Sequence, residues 1–302
     1  MQRFQLGEVE VTKVVEWEGE FAPARVIVPE SPPELWQDNA SWLAPDHWRP
    51  DTDAYHGAVQ TWVLRSEGRT ILVDTGVGND RNRPQVPLFD HLSSDFLGRL
   101  AEAGVRAEDV DVVVNTHIHY DHVGWNTELR DGEWVLTFPR ATYLIPRADQ
   151  VYFDPRNAHR RPAPRDQQEQ HRREGSLIVY ADSIAPVLDR AVLWTGTHRI
   201  DGNLVLESAP GHTPGSSIVR LSSGSDRAVF VGDLLHSPVQ ILEPRYNSCF
   251  CEDPRQAAAT RREVLERAAD IGELVVPAHF GGAGAAEIRR DGSRLAVGRW
   301  VP

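Results

Sequence analysis

Histidine and aspartate crowd together in the run Thr116-His117-Ile118-His119-Tyr120-Asp121-His122, which sets three imidazoles and a carboxylate within six residues. Neutral imidazole and carboxylate are the side chains that hold zinc and similar divalent ions, and such ions can activate water for hydrolysis. Isolated histidines are ordinarily surface groups or satisfied core residues, but four ligand types at this spacing are poorly explained that way. Val112-Val113-Val114 precedes the run and reads as a short buried strand, so the ligand types begin where a strand ends. From extended backbone His117 and His119, two residues apart, would point the same way. Asp121 and His122 fall where the chain is expected to turn toward a helix.

The same pattern of an apolar run ending in a ligand type recurs downstream. His212 follows Leu204-Val205-Leu206, Asp233 follows Val229-Phe230-Val231, and His279 follows Leu274-Val275-Val276. Any one alone would read as an ordinary loop residue. Four strand ends of one kind argue for convergence on a single site.

Together, His117-x-His119-x-Asp121-His122, His212, Asp233 and His279 resemble the motifs of the metallo-β-lactamase-fold hydrolase superfamily, and Val73-Asp74-Thr75-Gly76 resembles its early strand-end aspartate. The resemblance spans about residues 58–282. It implies an α/β fold, a four-layer αβ/βα sandwich of two β layers face to face with helices outside. It implies two divalent ions, zinc first and Mn, Fe or Co as alternatives. His117, His119 and His212 would hold one ion, Asp121, His122 and His279 the other, and Asp233 would bridge them. Asp74 would orient a ligand histidine from behind.

The expected chemistry follows from such a pair, since two ions about 3.5–4 Å apart can share a hydroxide that attacks an electrophilic carbonyl or phosphoryl centre. Asp233 would hold the spacing and Asp121 could accept a proton. Redox di-iron members have glutamate where this chain has His119, which favours hydrolysis. Gly232-Asp233 is like the lactonase, glyoxalase II and organophosphate-hydrolase branches. Acyl-homoserine lactonases often place a tyrosine three residues after the bridging aspartate, where this chain has His236, a departure toward the methyl-parathion-hydrolase-like side. His236 is either a substrate-facing proton donor or a hydrogen-bonded structural residue. The expectation is a hydrolase of small hydrophobic esters, lactones first. Arylesters, organophosphates or thioesters come next, then a nuclease of the same superfamily, then a noncatalytic metal-binding protein.

Composition is consistent with this. The chain has 302 residues, 40% hydrophobic and 25% charged, ordinary for a globular protein with a sizeable core. A net charge of −12 disfavours nucleic acid as a partner. The first residues carry no apolar signal core and no apolar run is long enough to span a bilayer, so the cytoplasm is the expected compartment. Gly76-Val77-Gly78 mimics a dinucleotide fingerprint but lacks its third glycine, and no serine-nucleophile elbow is present. Cys249 and Cys251 are too close in sequence for a mutual disulfide and read as reduced thiols on opposite faces of a strand-like piece.

The elements that must position these groups are read as one domain, 1–302. Residues 3–18 suit an opening strand, and 59–64 and 70–73 flank a hairpin turn at Glu67-Gly68. Helical spacing covers 92–103, ending at Gly104, and 254–271, ending at Gly272. A Pro- and Trp-rich stretch at 22–56 reads as an irregular arm, serving as core packing, a homodimer contact or a pocket wall. The interval 125–190 is long enough to hold a lid over the metals; its Arg- and Pro-rich part, 155–173, reads as a solvated loop leading into a short polar helix. Trp62, Trp125, Trp134, Tyr152 and Phe153 are the aromatic candidates for a pocket that takes an apolar acyl or aryl group.

Overall fold

A computed structural model describes residues 2–301. Short runs of β-branched residues build two sheets. The first has eight strands, in the order Gln2–Leu6, Val9–Pro23, Ala54–Ser66, Arg69–Val73, Val112–Val114, Thr142–Pro146 and Ala191–Trp194, with Trp48–Arg49 paired to Ala54–Ser66. The second has seven, in the order Thr197–Arg199, Leu204–Ser208, Ser217–Ser223, Asp226–Gly232, Leu274–Pro277, Ala285–Asp291 and Arg294–Val301.

Successive strand residues point to opposite faces, and this alternation sorts the core. Ile71, Val73, Val112 and Val114 face Ala228, Phe230, Leu274 and Val276 of the other sheet. Leu72 and Val113 point outward against Phe96 and Leu100 of the helix Phe96–Glu102. Val229, Val231 and Val275 point outward against Val264, Leu265 and Ala268 of the helix Pro254–Ile271. The order is therefore helix, sheet, sheet, helix, the sandwich expected from the sequence.

Arg69–Val73, Val112–Val114 and Thr142–Pro146 run parallel, as do Asp226–Gly232 and Leu274–Pro277. Parallel strands end on the same edge, so Asp74, Thr116-His117, Asp233 and His279 emerge there together. The helix Pro254–Ile271 matches its sequence bounds because its ends are locally encoded. The Asp253 side chain accepts from Gln256 N at its start, Pro254 opens it, and Gly272 closes it in the left-handed region at φ 68°. Among the described residues no helix is long and apolar enough to cross a membrane.

Several expectations are corrected. The opening strand is a hairpin, Gln2–Leu6 and Val9–Pro23, because the chain reverses at Gly7-Glu8. The helix at 92–103 begins only at Phe96, since Ser94 is occupied by hydrogen bonds with Asn79 and Glu16. His122 does not lead into an α-helix; a single tight turn, Gly124–Asn126, opens the hairpin Thr127–Arg130 and Glu133–Leu136. The segment 125–190 is not one excursion, because Thr142–Pro146 lies inside the first sheet. The arm at 22–56 is not irregular but folds into three short helices that bury Trp36, Leu43 and Trp48 against Val239 and Tyr246, while Ile27 also reaches the cavity wall. Cys249 and Cys251 are free thiols beside a turn rather than on a strand.

Candidate metal centre

The four strand ends bring all seven expected ligand types together. His117, His119, His212 and Asp233 form one group and Asp121, His122 and His279 another, each with its ligand atoms within 4.8 Å of one another. Asp233 stands between them with one oxygen toward each. Its Oδ2 lies 3.6 Å from His117 Nε2 and 3.2 Å from His212 Nε2. Its Oδ1 lies 3.1 Å from His122 Nε2 and 2.9 Å from His279 Nε2. Asp121 reaches the second group only, 3.8 Å from His122 Nε2 and 3.6 Å from His279 Nε2.

The far side of each imidazole explains which nitrogen faces inward. Carboxylates and carbonyls only accept, so His122 Nδ1 donates to Asp74 Oδ2 at 2.8 Å and His279 Nδ1 to Ala58 O at 2.8 Å. The Thr116 hydroxyl donates to Asp74 Oδ2 at 2.9 Å and so accepts from His117 Nδ1 at 3.1 Å. Each of these rings is left presenting Nε2. His119 is turned the other way, and its Nδ1 lies 3.1 Å from His117 Nε2 and 3.0 Å from His212 Nε2. Three imidazole nitrogens aimed at one point suit a cation far better than one another. Asp233 Oδ1, buried and without a hydrogen-bond donor despite two close nitrogens, tells the same story for the second group. The residues present fit two divalent ions.

Charge divides the two groups. Burial, reinforced by neighbouring imidazoles, holds His117 and His119 well below the usual histidine range, and burial takes His212 down to about 4. Burial also opposes charge on His122 and His279, but nearby carboxylates, Asp233 above all, outweigh it and raise both. Burial likewise disfavours ionised Asp233, yet His122, His279 and His236 hold its carboxyl well below the ordinary value. Without metal, the His122/His279 side thus keeps its protons to higher pH, and an ion entering there must displace them. On lowering the pH of zinc-loaded protein from about 8 to about 6 against a fixed chelator, this ion is expected to leave first, giving a plateau near one metal per chain. Metal analysis across the titration checks it; loss of both ions in one step at every pH overturns it.

Two supports carried no sequence motif. Asp149, fully buried, accepts from Ile118 N at 2.9 Å, Thr213 Oγ1 at 2.8 Å and Gly215 N at 2.5 Å, tying the loop of His117 and His119 to that of His212. It stands three residues beyond the strand Thr142–Pro146, as His117 stands beyond Val112–Val114, so the strand-end pattern could have found it. Asp149→Ala leaves the buried N–H groups of Ile118 and Gly215 unpaired and is expected to cost about 3 kcal/mol of stability, with loss of metal from the first group. Denaturant unfolding with metal analysis measures both; unchanged stability overturns the clamp. Cys251, behind His212, places Sγ 3.8 Å from Nδ1. Gly211 lets the His212 loop lie on the helix Pro254–Ile271, since a Cβ there would meet Ala257 N at 2.2 Å.

His236 stands where the cluster meets the cavity. Its Nε2 lies 3.1 Å from Asp233 Oδ2, while its Nδ1 is buried without a partner and its ring stacks on Phe250 at 5.8 Å. It also lines a cavity of about 170 Å³ above the cluster, together with His119, Asp121, Asp233 and His279. Of the aromatic residues picked out for a pocket wall, only Phe153 faces this cavity. Trp62 is buried between the sheets, and Trp125 lies beneath the first sheet, its indole nitrogen donating to Glu16 at 2.6 Å. Trp134 stacks under Arg81, and Tyr152 lies beneath Arg161. The apolar wall is instead Trp17, Phe21, Ile27, Val59 and Phe250.

Residues 54–279 match the family model of the metallo-beta-lactamase superfamily. Among solved structures, the chain resembles AidC, a dizinc quorum-quenching lactonase, at 20% identity over 98% of this chain and 96% of that one, with a TM-score of 0.75. It resembles the hydrolase AbOPH of the beta lactamase superfamily at 22% identity over 98% and 95%, with a TM-score of 0.78. It also resembles a probable metal-dependent hydrolase from Staphylococcus aureus at 15% identity over 97% and 98%, with a TM-score of 0.77. At these identities the likeness to solved structures is one of fold, whereas the family model covers most of the chain and takes in every ligand position. The chain belongs to the metallo-beta-lactamase superfamily and is a metal-dependent hydrolase.

Proposed function

We propose that the substrates are small hydrophobic esters, lactones first, and that both ligand groups hold a divalent ion, zinc before Mn, Fe or Co. The observation that carries this reading is Asp233, with one oxygen toward each group at the floor of a largely apolar cavity. Bound ions would polarise an ester carbonyl and make water acidic enough to attack it near neutral pH. The chain's own residues supply the rest. Asp233 sets the separation of the two groups, and Asp121, on the cavity side, can take up a proton. His236, against Asp233 and on the cavity wall, would pass a proton to a leaving group. Trp17, Phe21, Val59 and Phe250 offer an apolar group a dry surface. A lactonase and a hydrolase of this superfamily among the structural relatives are consistent with that class.

The test is a hydrolysis screen of zinc-loaded protein against a hydrophobic lactone, an aryl ester, a thioester, a phosphotriester and RNA. Turnover of the lactone or the aryl ester is expected, with about two ions per chain by elemental analysis. Cleavage of RNA without activity on any ester would overturn the reading.

A further inference from the structure

The cavity above the cluster has two unlike walls. Besides the apolar residues, the helix Gln167–Val179 and the loop before it line the cavity, contributing Arg161, Arg172 and Arg173. Outside the metal-binding cluster, the described lining residues include two carboxylates, Glu169 and Glu252. Glu169 pairs with Arg173 and also with Arg165, at 2.8 Å. Glu252 accepts from the Tyr152 hydroxyl at 2.8 Å.

Arg161 and Arg172 remain. Arg161 donates Nε to Tyr152 O at 2.7 Å, and its guanidinium lies over the rings of Tyr152 and Phe153 at 4.4 and 5.3 Å. Its Nη2 is buried without an acceptor. Phe153 in turn packs against the His119 ring at 5.9 Å, so this cation stands one aromatic ring from a candidate ligand. Among the described residues no carboxylate lies within ion-pair distance of Arg172. Arg172 sits near the Cys249-Phe250 turn, where its charge draws on a thiol that burial pushes up to about 11. Outside the metal-binding cluster the lining thus carries three arginines against two carboxylates, one positive charge in surplus, in a chain whose net charge is −12. A half-enclosed cation surplus of this kind selects an anion. A single surplus charge on this wall matches a monoanion.

We propose that the substrate carries a carboxylate remote from the bond that is cut, held by Arg161 and Arg172, with its apolar stem on the wall of Trp17, Phe21 and Phe250. This rests on the ester-hydrolase reading and adds a charge requirement to it. Arg161 and Arg172 are then specificity-determining residues, since neither touches the cluster.

The test compares para-nitrophenyl hexanoate with the para-nitrophenyl half-ester of adipic acid, which differ only in a methyl replaced by a carboxylate. The half-ester is expected to be preferred about tenfold in kcat/KM at low salt, with the preference shrinking as salt rises. Arg172, with no carboxylate partner of its own, is the primary variant. Arg172→Gln should reduce the preference severalfold at unchanged metal content, Arg172→Lys should keep more of it, and Arg161→Gln should act as Arg172→Gln does. A preference at or below one in the wild type, or one that Arg172→Gln does not move, overturns the proposal. If neither ester is cut, binding separates the two readings. A phenylbutane sulfonate, a poor metal ligand, is titrated against the matching alcohol by tryptophan fluorescence on the zinc-loaded protein. Tighter binding of the sulfonate that is lost in Arg172→Gln supports the anion site while the ester reading fails; equal binding overturns the anion site.

Discussion

Asp233→Ala is expected to lower kcat/KM by about a hundred- to a thousandfold and to leave fewer than two ions per chain after gel filtration. The size of the effect follows from position. Among the described residues Asp233 is the one side chain whose two oxygens face different ligand groups, so its removal withdraws negative charge from both at once. It also removes the carboxylate that most favours charge on His122 and His279 without metal, so the pH dependence of metal uptake on that side should flatten. The two sheets do not rely on it, and far-ultraviolet circular dichroism should be unchanged. Metal analysis and steady-state kinetics on one preparation check the prediction. Two tightly held ions with wild-type turnover would falsify the bridging role.

Asp74→Ala is the second large effect, expected to weaken metal binding and activity by about ten- to a hundredfold although Asp74 belongs to neither ligand group. Its carboxylate accepts from Thr116 N at 2.8 Å, from the Thr116 hydroxyl and from His122 Nδ1, and the Thr116 hydroxyl passes the ordering on to His117. One carboxylate therefore sets the orientation of a histidine in each group. Asp74 also adopts φ 60°, a region that side chains other than glycine seldom occupy, and these bonds hold it there. Asp74→Asn separates the two contributions, because an amide keeps an acceptor for Thr116 but no charge opposite His122. It should fall between wild type and alanine in a competitive chelator titration. An alanine variant with wild-type metal affinity would show that the rings are held by packing alone.

The residues that could do chemistry were legible in the sequence because their signal is local. His117, His119, Asp121 and His122 share one short run, and His212, Asp233 and His279 each follow an apolar stretch of the kind that ends a buried strand. The helix Pro254–Ile271 could be bounded from the sequence for the same reason, since its cap and its glycine stop are written within it. The supports of the site were not legible. Asp149 meets Ile118 and Gly215 across separations of 31 and 66 residues, and Cys251 meets His212 across 39. Asp149 shares the strand-end position of the ligands, but nothing local shows that its acceptors are spent on distant loops. The cavity walls followed the same rule: Trp62 and Trp125 were drawn into the core by strand alternation and by Glu16, while Trp17, Phe21 and Phe250 came to the pocket from separate ends of the chain. The Arg-rich stretch read as a solvated loop leading into a short polar helix; the helix Gln167–Val179 is there, but composition does not report that Arg161, Arg172 and Arg173 line the cavity. By itself the sequence determined the donor set and the strand edge that carries it, since residue type and alternation are properties of short segments. Tertiary structure alone decided which oxygen of Asp233 faces which group, what holds the rings in place and which side chains enclose a substrate, because those are distances between segments that only packing brings together.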